Sequence, residues 1–166
     1  MAIDDDEASR IASDRPDPDD QWAAGFPRED DCAPAASRLT NAAAAPAPFG
    51  VYRIVPLSHG LTIGTIGFHR PPDASGRVTI GYGMVSAEWG QGYGSQAVAR
   101  LVEICRDHGG VAAIDAETDL HNIGSQRVLE KNGFARLRTT EESCFYLLEL
   151  FRGRRTEPAM RSAAMP

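Results

Sequence analysis

The stretch "WGQGYGSQAV", residues 89–98, decides how the rest of the chain is read. Gly90, Gly92 and Gly94 stand at alternate positions, and an apolar helical pattern follows at once. Glycine costs a helix interior about 1 kcal/mol relative to alanine. Three of them at a helix start imply a backbone that must approach something closely. One candidate is a dinucleotide fingerprint: Gly92-x-Gly94-x-x-Ala97 fits G-x-G-x-x-A, and Asp115 lies about 20 residues further on. Against it, "SAEWGQ" separates the glycines from the strand that ends at Val85, and the segments before them read as an antiparallel meander. Too little chain follows Asp115 for a full doubly wound sheet. A P-loop is excluded because no Gly-Lys-Ser/Thr follows. The second candidate, with the dinucleotide reading kept behind it, is a lysine-free cradle. Successive amides of Gln91, Gly92, Tyr93, Gly94 and Ser95 would face a pyrophosphate at a helix N-terminus, where unpaired N–H groups and the helix dipole favour an anion.

Outward from this loop the pattern is regular. "VYRIV", "LTIGTIGF" and "RVTIGYGMV" read as three antiparallel strands before it. "SQAVARLVEICRDH" is an amphipathic helix with one apolar stripe, ended by Gly109 and Gly110. "VAAIDAET" is a strand. Asn122 then caps the helix "IGSQRVLEKN", which Gly133 closes, and "FARLR" and "SCFYLLEL" form a final hairpin. Residues 4–13 and "REDDCAPAASRL" read as two short helices, the second broken or bent at Pro34. The order predicts a mixed α/β layer fold in a single domain over residues 1–151: a helical and loop part over 1–50, and a core over 51–151. Residues 152–166 read as a disordered tail.

The bulk numbers narrow the function classes. The chain of 166 residues is long enough for one domain with a real core. Its net charge is −6, with the acidic surplus concentrated in residues 1–35. No basic footprint for nucleic acid and no apolar run of membrane length are present in the sequence. Cys32, Cys105 and Cys144 are too scattered for a disulfide framework or a zinc site, so no metal and a cytoplasmic location are expected. A homodimer is compatible with the sequence.

Two blocks carry a resemblance. Trp89-Gly90-Gln91-Gly92-Tyr93-Gly94 resembles the coenzyme A loop of the GNAT (Gcn5-related) N-acetyltransferases, usually [R/Q]-x-x-G-x-[G/A]. "NIGSQRVLEKNGF", Asn122 to Phe134, resembles the N-x-x-S-x-x-V-x-x-K-x-G-F block of the branch similar to ribosomal-protein N-terminal acetyltransferases. The resemblance implies a mainly antiparallel sheet flanked by helices, with acetyl-CoA as co-substrate and an amine as acceptor. There are two departures. Met1–Ile3 leaves no room for the family's opening strand, so the first strand is expected to be missing and residues 1–20 to form a mobile flap on the amine side. Leu129 stands where many relatives carry a proton-donating tyrosine.

The resemblance also distributes roles. Met84 and Val85 would pair with the pantetheine amides, and the Val85 N–H would polarise the thioester carbonyl. Asn122 would add a pantetheine contact to its capping role. Ser125 would protonate the departing thiolate, with Tyr82 and Tyr93 as alternatives. For the amine proton the candidates are Glu88, Asp115, Glu117, Asp119 and His121. Glu117 comes first among them, at the end of its strand, with Asp115 on the same face. His69 reads as a turn residue, and Thr79 stands where close relatives carry a glutamate. The expected activity is transfer of an acetyl group to a primary amine, on a protein N-terminus or a small molecule. The competing reading is an acyl-CoA-binding module without turnover.

Overall fold

The computed structural model describes residues 1–40 and 47–150. The expected tail at 152–166 lies outside them. Two helices, α1 (Asp5–Ser13) and α2 (Glu29–Thr40), precede three strands, β1 (Val51–Ile54), β2 (Gly64–Phe68) and β3 (Arg77–Met84). A 3₁₀ turn at Ser86–Glu88 leads to α3 (Tyr93–His108), then β4 (Ala113–Asp119), α4 (Ile123–Lys131), β5 (Ala135–Thr139) and β6 (Ser143–Glu149). The strands form one six-stranded sheet in the order β1-β2-β3-β4-β6-β5. Every pairing is antiparallel except β3 with β4.

Side-chain alternation assigns the two faces of the sheet. α3 and α4 pack on one, where Val98, Leu101, Val102 and Leu129 meet Ile66, Val78, Ile80 and Ile114 in the buried core. α1 and α2 pack together on the other, where Asp31 of α2 bonds Thr65 of β2. Helix ends follow the local signals. Asn122 Oδ1 accepts the Ser125 N–H at 2.9 Å, and Gly109 takes the left-handed C-cap of α3 at φ 67°.

No strand precedes α1 among the described residues, as expected, but the segment before it is docked rather than a free flap. Ala2 bridges Tyr52, Ile3 N–H donates to Val51 O at 3.0 Å, and Arg53 N–H donates to Met1 O at 2.8 Å. Ile3, Ala8 and Ile11 are at most 2% exposed, and Arg53 pairs with Glu7 at 3.1 Å. Apolar residues at helical spacing dock α1, while most of its acidic neighbours point outward or, as Asp4 does, cap its first turn. The expected outcome is therefore reversed. The amides of Ala8 and Ile11 exchange slowly, at rates comparable to those of residues 98–105, measurable by hydrogen exchange. Ile11→Ala costs about 2–5 kcal/mol, read from denaturant unfolding.

Candidate active site

β3 and β4 begin as a parallel pair and then part. Their register runs from Arg77↔Ala113 to Ile80↔Ala116 and stops, although β3 continues to Met84 and β4 to Asp119. Each strand keeps a partner on its outer side. Gly81–Met84 stay on β2, and Glu117–Asp119 stay on β6. A wedge therefore opens between the two strands without orphaning either one.

Strand alternation decides which backbone groups face the wedge. Val85 N–H donates to Ile63 O at 2.8 Å, and Thr79 O accepts from His69 N–H. Odd-numbered residues of β3 thus spend their backbone groups on β2, and the amides of Tyr82 and Met84 point into the wedge. The polarising amide assigned to Val85 is taken, so the donor aimed at the wedge is that of Met84, one residue earlier. The Met84 carbonyl accepts the Trp89 indole N–H at 3.1 Å, which ties the glycine loop to the strand end.

The glycines divide the work of the loop. Gly90 and Gly92 have φ of 78° and 84°, a conformation that L side chains rarely adopt. Gly94 packs close to the strand end, since a Cβ there would sit 3.0 Å from Met84 Cε, the flexible tip of that side chain. Gly92 is the N-cap of α3, which has no side-chain cap, whereas α1 and α4 are capped by Asp4 and Asn122. The first-turn amides of α3, including those of Tyr93, Gly94 and Ser95, are left for an external acceptor. Asn132 Nδ2 donates to Ser95 O at 3.2 Å and to Val128 O at 2.8 Å, joining α3 to α4 beside the wedge.

Tyr82 reaches across the α4 side of the wedge and donates to Ser125 O at 3.1 Å. Burial pushes its phenol up to about 12, so it stays protonated through the neutral range. Ser125 is half-buried beside it, and a side-chain hydrogen bond with Ser125 offsets part of that rise. Tyr93 instead turns toward Ser58, with the hydroxyls 3.1 Å apart on another side of α3. Leu129 is core, 1% exposed.

The carboxylates sort themselves by partner. Asp115 is held by Arg77, whose Nε lies 2.9 Å from Oδ2, so it does not form a paired-carboxylate site with Glu117. Glu88 lies 3.6 Å from His59 Nε2, and Asp119 Oδ1 accepts the His121 N–H. Glu117 is exposed and has no ion pair among the described residues. It lines a cavity of about 650 Å³ together with His69, Asp119, His121 and Glu142. Glu117 shares the face of Thr79 and Asp115, while Tyr82 and Ser125 lie on the α3–α4 face. The structure thus places Glu117 and Ser125 on opposite faces of one wedge.

Two residues read otherwise in the sequence also belong here. His69 is more than a turn residue, because its imidazole lies over Gly81, and Arg28 lies over Gly83. The sequence signal was the pair of glycines two apart in one strand, which leaves one strand face bare.

This fold, with a wedge beside an uncapped glycine-rich helix start, has relatives. A family model described as an acetyltransferase (GNAT) domain matches residues 2–135. The chain belongs to the GNAT acetyltransferase family. Among curated proteins it is 35% identical over 72 residues to the uncharacterised N-acetyltransferase YoaA of Bacillus subtilis (strain 168), covering 43% of this chain and 41% of that one. It is 29% identical over 92 residues to the uncharacterised N-acetyltransferase p20 of Bacillus licheniformis, covering 54% and 52%. The chain thus matches about half or less of the length of these curated relatives. Among solved structures, a Vibrio cholerae protein considered a ribosomal-protein-serine acetyltransferase superposes with a TM-score of 0.64 at 17% identity, over 90% of this chain and 92% of that one. RimL, a ribosomal L7/L12 α-N-protein acetyltransferase solved with coenzyme A, superposes with a TM-score of 0.54 at 17% identity, over 57% and 59%. At these identities the structural matches speak for the fold.

Proposed function

We propose that this GNAT chain is an acetyl-CoA-dependent N-acetyltransferase that acetylates a primary amine by direct attack on the thioester. The observation that carries the reading is the wedge. Backbone donors on its β3 edge lie next to the uncapped start of α3, as a molecule with a diphosphate and an extended amide arm requires. The family's coenzyme fits the residues present. The first-turn amides of α3 take the diphosphate, and the β3 edge takes the pantetheine. The Met84 N–H polarises the thioester carbonyl in the way an oxyanion-hole donor does.

The neutral amine nitrogen attacks the carbonyl carbon and a C–N bond forms. The tetrahedral intermediate then expels the thiolate as the C–S bond breaks. Ser125 supplies a proton to the sulfur from the α4 face and is reprotonated by solvent. Glu117, on the opposite face, accepts the proton lost by the amine, directly or through water. The products are the acetamide and free coenzyme A. Positioning of amine and thioester in the wedge supplies much of the acceleration.

Two measurements test this together. Acetyl-CoA and coenzyme A raise the melting temperature by mass action, and NAD and ATP raise it far less. Acetyl-CoA then releases free thiol when an amine panel is added. A larger shift with NAD sinks the coenzyme assignment. Tight coenzyme A binding with no turnover on any amine replaces the enzyme reading with that of a binding module.

A further inference from the structure

The α2 face of β3 is bare at Gly81 and Gly83, and two side chains occupy the space their Cβ atoms would fill. A Cβ at Gly81 would fall 2.9 Å from His69 Nε2, and one at Gly83 would fall 2.6 Å from Arg28 Cζ. The guanidinium therefore lies against the backbone one residue before Met84. It is fixed there from one edge. Arg28 Nε lies 3.0 Å from Asp31 Oδ2, Nη2 lies 3.3 Å from Oδ1, and the Arg28 N–H donates to Oδ2 at 3.0 Å. Asp31 has a side chain 0% exposed and also accepts the Thr65 hydroxyl.

Arg28 and Asp30 line a groove of about 220 Å³ on this face together with Thr65, His69, Gly81 and Gly83. Arg28 keeps 26% of its side chain exposed there. Among the described residues Nη1 donates to Asp30 Oδ2, at a long 3.5 Å, and that aspartate is 84% exposed. A buried carboxylate thus orients a cation, only loosely shared with exposed Asp30, on the α2 face of β3, the sheet face that also carries Glu117. An arginine edge matches a carboxylate with two parallel N–H···O bonds. The groove is also smaller than the roughly 300–1,000 Å³ of pockets for larger ligands. A polyamine would meet a positive charge at this point.

We propose that the acceptor is a small amine carrying a carboxylate, of the α-amino acid class. Arg28 binds that carboxylate and sets acceptor specificity, and Asp31 is its positioning residue. The proposal rests on the reading of the wedge as an acetyl-transfer site.

The test uses the full chain and three acceptors that share a side chain: an α-amino acid, its α-carboxamide, and the amine lacking the carboxylate. Thiol release from acetyl-CoA is followed in each case. The acid is expected to exceed the other two in kcat/KM by about 10-fold or more. The double variant Arg28→Gln/Asp31→Asn avoids leaving a buried carboxylate unpaired. It is expected to raise KM for the acid by about 10–100-fold, with kcat little changed, and to erase the preference over the carboxamide. Its coenzyme A melting shift confirms that the wedge is intact, and Arg28→Lys restores part of the preference. An unmodified chain that handles the carboxamide or the decarboxylated amine as well as the acid overturns the proposal, whether or not the variant folds. A double variant that keeps the preference overturns it too. Thiol release with amines lacking a carboxylate but not with the acids sinks Arg28 alone, whereas no release with any amine sinks the acetyltransferase reading.

Discussion

Gly92→Val is expected to abolish stabilisation by coenzyme A while leaving the domain folded. Gly92 caps α3 at φ 84° and ψ −1°, and a Cβ there meets nothing closer than Gln96 Nε2 at 3.8 Å. The penalty is thus conformational rather than steric. A left-handed conformation costs an L residue about 1–2 kcal/mol, and a β-branched one more. Against a stability of roughly 5–15 kcal/mol the domain survives, with a melting temperature lower by about 2–4 °C per kcal/mol. Relief of the strain rotates the loop amides away from their common direction. The coenzyme, which at a hundredfold excess over Kd adds about 2.7 kcal/mol to the unmodified chain, then adds none. Gly109→Val is the control: it imposes the same kind of strain at φ 67° on the other end of the helix. It should lower the melting temperature and keep the coenzyme shift. An undiminished shift in Gly92→Val would show that the diphosphate is held elsewhere.

The second large effect is on turnover. Ser125→Ala should lower kcat toward the lower end of the ~10²–10⁴-fold range of general acid–base catalysis, because a thiolate is already a good leaving group. Affinity for acetyl-CoA should barely change, since the hydroxyl acts mainly in the transition state. The fold should be unaffected, because the capping bond to Asn122 uses the Ser125 N–H rather than its side chain. Glu117→Gln should lower the rate most near neutral pH and recover as rising pH deprotonates the amine in solution. Both variants should stay within about 1 kcal/mol of the unmodified chain in stability. Tyr82→Phe separates the two hydroxyls of the α4 face. Its phenol O–H is already donated to Ser125 O, so its removal should loosen that contact more than it slows the chemistry. Rates for Ser125→Ala and Glu117→Gln both within twofold of the unmodified chain would leave positioning as the source of catalysis.

Much of the candidate site was legible in the chain. The glycine loop, the Asn122 cap and the Ser125 position are local, and the structure places each within its helix start. The errors have one form. Strand alternation by itself leaves open whether the amide of Val85 or of Met84 faces the wedge; only the bond from Val85 N–H to Ile63 O shows which parity faces β2. Asp115 was grouped with Glu117 by parity, and Arg77, 38 residues away in sequence, claims it. The N-terminal segment looked solvated because its acidic residues outnumber the three buried apolar ones that dock it.

By itself the sequence determined the elements and their ends. Helix periodicity, the caps at Asn122 and Gly109 and the positive-φ glycines of the loop act through neighbours within about one helical turn. It also marked a bare strand face by setting Gly81 and Gly83 two apart. Only the tertiary structure decided what covers that face, where β3 leaves β4, which amide the wedge receives, and that Ser125 and Glu117 stand on opposite sides of it. Those features depend on strand order and on contacts such as Arg28 with Gly83. Such contacts join residues tens of positions apart, and their energy exists only once the sheet has closed around them.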